Sequence, residues 1–144
     1  MESFFNRILM EVEGGVDQRK TMKEVVATRD NIISEDEERQ MVGLMNLCNL
    51  LNMATSVTIS AIRPSVFVPP ILACLKKEHN VDLMLLAARV LTYMVDAISS
   101  TVYVLGSENG MDAVLQHLLE VKDIELSDQC MTCVEKLRRV LMAL

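Results

Sequence analysis

The sequence predicts an all-α fold built as a right-handed superhelix of stacked helical repeats. Three observations predict it. Apolar residues make up 51% of the 144 residues, yet there are only three Phe, two Tyr and no Trp, and eleven Met. Turn formers are sparse, with five Gly and three Pro. That composition suits helices better than a many-stranded sandwich or barrel. The third observation is an internal repeat with a period of 43 residues.

The repeat is read by sliding Thr58–Ile98 forward by 43 positions. Thr58 falls on Thr101, Ile59 on Val102 and Ile62 on Leu105. Val68, Ile71, Leu72 and Leu75 fall on Met111, Val114, Leu115 and Leu118. Ala87, Val90, Leu91 and Met94 fall on Cys130, Cys133, Val134 and Leu137. Slid backward, the same four fall on Leu44, Leu47, Cys48 and Leu51. A period of about 40–47 residues with two or three helices per unit is the armadillo/HEAT signature, whereas TPR and ankyrin repeats are near 33–34. The expectation is an armadillo/HEAT-like α-solenoid of about three repeats.

The elements follow in order. Residues 1–144 form one repeat region, divided into units 4–54, 58–98 and 101–141. Phe5, Ile8, Leu9 and Val12 share a helical face, so Phe4–Val12 is the second helix of the first unit. Residues 14–33 are charged and open on Gly14-Gly15, which predicts a mobile loop insertion. Ser34-Glu35-Asp36-Glu37 has capping-box form and starts a third helix, Glu35–Ala54. The short first helices are Thr58–Ile62 and Thr101–Leu105. The second helices are Pro69–Lys77, with both prolines in the first turn, and Gly110–Val121. Asn80 and Asp123 cap the remaining third helices, Val81–Ile98 and Ile124–Leu141. The apolar end Val140–Leu144 lacks the polar cap of a solenoid terminus, so the chain is expected to be a piece of a larger protein.

Charge and composition exclude several function classes. The net charge is −6, which argues against a nucleic-acid partner held by its phosphates and against an anionic membrane surface. The uncharged run Gln40–Ile62 contains four Ser/Thr and three Asn, too polar for a bilayer span. Met1-Glu2-Ser3 does not open a signal peptide, and four Cys without one read as reduced thiols in the cytoplasm or nucleus. Cys130-x-x-Cys133 occupies stripe positions of a helix, with no second Cys pair or His pair to complete a zinc site. Cys48 also lies on a stripe, and Cys74 on the second helix of its unit. His79 falls in a turn and His117 beside a stripe, neither with a nucleophile or metal-ligand spacing nearby. The acids Glu35–Glu38 complement a helix N-terminus. No catalytic, metal or cofactor set emerges.

The candidate function therefore rests on a surface. In armadillo folds the third helices line the concave face and extended ligands lie across them. Removing the apolar stripe leaves repeat-related rungs there. They include Asn46, Arg89 and Thr132; Asn49, Thr92 and Glu135; Leu50, Tyr93 and Lys136; and Met53, Asp96 and Arg139. Asn and Arg hydrogen-bond a peptide backbone, and Tyr offers a flat apolar face with a polar tip. Asn46, Asn49, Arg89, Thr92, Tyr93, Asp96, Glu135, Lys136 and Arg139 are the candidate partner-binding residues, with Arg89 and Tyr93 at the centre.

The run Glu78-His79-Asn80-Val81-Asp82-Leu83 and its continuation Ala87-Ala88-Arg89-Val90-Leu91-Thr92-Tyr93 resembles the armadillo-like N-terminal region of HECT-type E3 ubiquitin ligases. The group is that of the yeast ubiquitin-fusion-degradation, the thyroid-receptor-interacting and the plant KAKTUS ligases. Leu118–Val121, Asp128–Leu137 and Met45–Leu51 are similar to neighbouring helices of that group. The resemblance implies a non-catalytic scaffold for a protein substrate or degron peptide, with ubiquitin as a further candidate, in a parent ligase whose thiol lies elsewhere. Two other readings are a stand-alone armadillo adaptor and an importin-α-like peptide carrier. The second relies on Trp arrays that this chain lacks.

Overall fold

The computed structural model describes the backbone of residues 2–53 and 55–107, together with residues 128, 131, 132, 135 and 136. Side chains are described from residue 18 onward within those bounds. Six helices follow one another: α1 Glu2–Ile33, α2 Glu37–Asn52, α3 Ser56–Ala61, α4 Pro64–Leu75, α5 Val81–Ala97 and α6 Thr101–Ser107. Among the described residues there is no strand.

The helices stack as repeats. α1 packs on α2, and α4 packs on α5. α2 in turn packs on α5, and α1 on α4, so two helix layers run through the molecule. The short α3 sits against α1 as the short α6 sits against α4. Each unit is thus a helix of one layer, a helix of the other and a short connecting helix. This is the α-solenoid that the sequence predicts.

The 43-residue register survives in the packing. Leu44, Leu47, Cys48 and Leu51 on α2 are buried, and so are their counterparts Ala87, Val90, Leu91 and Met94 on α5. Thr58 and Thr101 are both buried near the starts of their short helices. The Thr101 hydroxyl donates to the Met94 carbonyl at 3.3 Å, which satisfies it inside the core. Phe67, Val68, Ile71 and Leu75 of α4 fill the space between the layers.

Three local expectations are corrected. The stretch 14–33 is no loop, because it runs within the single 32-residue helix α1. Val25, Thr28 and Ile32 of that stretch are buried. They stand 43 residues before Val68, Ile71 and Leu75, so the C-terminal half of α1 is the true second helix of its unit and there is no insertion. The next helix starts at Pro64 and not at Pro69. Pro64 takes the first turn, where its missing N–H costs nothing. Pro69 and Pro70 lie inside α4 and leave the carbonyls of Ser65 and Val66 without their usual donors. Both of those residues lie on the exposed side of the helix. Finally, Asp36 rather than Ser34 caps α2, accepting from the Glu38 amide at 3.0 Å. Ser34 instead accepts from the Asp36 amide at 3.1 Å and shapes the turn. The expected helices Gly110–Val121 and Ile124–Leu141 lie outside the described residues, save for five helical positions of the latter.

Candidate functional site

A polar seam sets α2 and α5 side by side. The α2 N-terminus presents Glu37, whose carboxylate oxygens both lie 2.9 Å from Nε2 of His79. The Asn80 side-chain amide donates to the same carboxylate at 3.0 Å. Asn80 also caps α5, its carbonyl oxygen accepting from the Leu83 amide at 3.1 Å. One turn further, Lys77 donates to Gln40 at 2.9 Å, and Gln40 donates to the Ser34 carbonyl at 2.7 Å. The His79 hydrogen bond, then that of Asn80, holds the Glu37 carboxyl below its ordinary value. His79 thus joins two repeats.

With the two helices fixed, the outward positions can be placed. Asn46 and Asn49 of α2 are exposed. They line a cleft of about 360 Å³ whose other wall is Glu24, Ala27 and Thr28 of α1. Leu50 and Met53 complete its apolar part, and Met53 is 75% exposed. Arg89 of α5 is half-buried, close enough for its charge to act on Cys48 of α2. Tyr93 is half-buried with its ring packed on the core. Asp96 is exposed and pairs with Lys136. Glu135 is half-buried.

Two of the candidate positions differ. Thr92 is buried, and its hydroxyl donates to the Ala88 carbonyl at 3.0 Å. That bond satisfies the hydroxyl within its own helix, so Thr92 belongs to the packing and not to the surface. Arg139 lies outside the described residues. Sequence reasoning also missed Glu24 and Thr28, because it assigned them to a loop. The signal that finds them is the same 43-residue shift, which places them on Phe67 and Ile71.

The cleft offers amide donors and acceptors, one carboxylate and an apolar floor. Cys48 and Cys74 are buried free thiols. Burial pushes the Cys48 thiol up to about 11, against the pull of Arg89, and raises Cys74 in the same way. Cys130, Cys133 and His117 fall outside the described residues. Among the described residues no group of three His, Cys, Asp or Glu side chains is placed to hold a metal ion. Within the same bounds no helix is long and apolar enough to cross a membrane.

Comparison with known proteins gives a consistent picture. Residues 9–141 match the model of a family described as E3 ubiquitin-protein ligase TRIP12-like, TPR repeats. E3 ubiquitin-protein ligase UPL4 of Arabidopsis thaliana is 31% identical over 104 residues, which are 72% of this chain and 7% of the relative. UPL3 of the same plant is 29% identical over 102 residues, 71% of the chain and 5% of the relative. E3 ubiquitin-protein ligase TRIP12 of Danio rerio is 33% identical over 106 residues, again 72% of the chain and 5% of the relative. The chain therefore spans less than a tenth of the length of these relatives. No solved structure matches it significantly. The family description names TPR repeats; the units here keep the longer 43-residue spacing and add a short third helix.

Proposed function

The chain belongs to the TRIP12-like family of E3 ubiquitin-protein ligases, in its TPR-repeat region, and from that premise we propose that it is a non-catalytic recognition scaffold. It holds a protein substrate, a degron peptide or ubiquitin for a parent ligase of HECT type in the cytoplasm or nucleus. The catalytic thiol belongs to another part of that parent. The surface used is the face shared by α2 and α5, with Asn46 and Asn49 on one helix and Arg89 and Tyr93 on the other.

The observation that carries this reading is the cleft that Asn46, Asn49 and Leu50 of α2 line against α1, with Arg89 and Tyr93 on α5 at the positions 43 residues after Asn46 and Leu50. It combines paired hydrogen-bonding groups with an apolar floor at helical-repeat spacing, the arrangement that reads an extended chain. Fluorescence anisotropy with labelled ubiquitin and with N-terminal degron peptides tests it. Binding of one of these probes, weakened about tenfold or more by Arg89→Glu or Tyr93→Ala, is the expected result. Binding that ignores both substitutions overturns the choice of face.

A further inference from the structure

A second groove lies on the other side of α1. The inner stripe of α1, with Val25 and Ile32, is buried in the core. An outer stripe is apolar too: Met22 is 48% exposed, Val26 38% and Ile33 55%. Helix positions that face only water are normally polar. The part of α1 that lines the groove, Met22 to Arg29, extends over about 10 Å, or two turns. It faces the corner between α3 and α4, where Val66 is also 38% exposed and Phe67 forms a floor. The space between them is a cavity of about 220 Å³.

The charge around this groove runs against that of the molecule. The chain as a whole carries −6. Of the described residues that line the groove, none is a carboxylate, while Arg29 and Arg63 are both present. The neighbouring stretch along α1 and α3 adds no acid either. By contrast, both clefts toward α2 contain Glu24. Arg63 is exposed and makes no ion pair among the described residues. Among the described residues Arg29 pairs with its sequence neighbour Asp30 alone, at 3.1 Å, and that pair is exposed. Such pairs are weak and readily exchanged.

We propose that this groove docks an acidic amphipathic segment of a partner protein. The apolar side of that segment lies along Met22, Val26 and Val66, and its carboxylates meet Arg63 and Arg29. An apolar strip with two arginines beside it matches about two turns of an acidic amphipathic helix in both length and sign. A second copy of this chain is the poorer occupant, since two bodies of net −6 repel on approach. The site is separate from the α2–α5 face, because Glu24 and Ala27 point toward α2 while Met22 and Val26 line the opposite side.

The test uses the whole chain and two synthetic amphipathic peptides of about 15 residues. Both carry Leu at helical spacing; one has Glu on its flanks and the other has Lys. Fluorescence anisotropy is expected to show saturable binding of the acidic peptide alone. Arg63→Glu weakens it about tenfold or more, Val26→Asp or Met22→Asp removes it, and added salt weakens it. Arg89→Glu leaves it unchanged, which separates this site from the α2–α5 face. All three groove positions are exposed, and an unaltered helical circular dichroism spectrum confirms folding. Equal binding of both peptides, no binding of the acidic one, or binding indifferent to these substitutions overturns the proposal. So does a dimer in sedimentation velocity that Val26→Asp dissociates, which would give the groove to a second copy.

Discussion

Gly43 of α2 lies so close to Ile32 of α1 that a Cβ added to it would stand 2.8 Å from Ile32 Cγ1. The same Cβ would stand 2.9 Å from the Asn31 Cβ and 3.0 Å from the Ile32 amide nitrogen. Two of these three neighbours are rigid, being a backbone atom and a Cβ. The glycine therefore sets how near the first two helices approach. Gly43→Ala is expected to lower stability by about 1–3 kcal/mol, because overpacking outweighs the roughly 1 kcal/mol gained in helix propensity. Urea unfolding followed by circular dichroism checks it; a more stable variant would show that the helices sit further apart.

Ile32 tests whether α1 is packed through its C-terminal half. It is 1% exposed and belongs to the core. Ile32→Ala is expected to cost about 2–5 kcal/mol in the same assay, through lost burial and the cavity left behind. In a mobile loop the substitution would change stability by less than about 0.5 kcal/mol.

The seam at Glu37 predicts an acid dependence. In the folded chain the hydrogen bond from His79, then that from Asn80, lowers the Glu37 carboxyl from its ordinary 4.5. The unfolded chain therefore takes up this proton first as pH falls. The contribution is fully present above pH 4.5 and is lost as pH drops through the folded value. Glu37→Gln removes it, so the fall in urea midpoint from pH 7 to pH 4 is expected to be smaller in the variant. An equal fall in both would show that the seam does not couple the repeats.

The buried thiols predict slow chemistry. With the Cys48 thiol pushed up to about 11, only about one molecule in a thousand carries the thiolate at pH 8. Cys48 and Cys74 are expected to resist a disulfide-exchange reagent at pH 8 and to react at once in urea. Mass spectrometry of the labelled peptides distinguishes them from Cys130 and Cys133. Rapid labelling of native Cys48 would contradict its place between α2 and α5.

What was legible in the sequence was whatever the 43-residue shift carries as plainly apolar residues. Leu44, Leu47, Cys48 and Leu51 mark one helix, and Ala87, Val90, Leu91 and Met94 the next, so that packing could be read directly. α1 hid because its inner stripe has Thr28 at the centre, while Met22, Val26 and Ile33 point outward. Two interleaved stripes blur the helical period, and Gly14-Gly15 reads as a break although the helix continues through it. Gly costs a helix only about 1 kcal/mol, which neighbouring turns absorb. Thr92 misled in the opposite way. Its polar name suggested the surface, but its hydroxyl is spent on the Ala88 carbonyl. Of the proposed partner face, Asn46, Asn49, Arg89 and Tyr93 are nominated by their rung positions, and Glu24 enters only because α1 walls the cleft.

The central claim is that the α2–α5 face receives a protein ligand of the ubiquitin pathway. Amide chemical-shift mapping of the isotope-labelled chain, titrated with ubiquitin and with an N-terminal degron peptide, tests it most directly. Shifts clustered at Asn46, Asn49, Arg89 and Tyr93 are expected with one of these ligands, as is their loss in Arg89→Glu. Shifts confined to other surfaces, or none with either ligand, would contradict it.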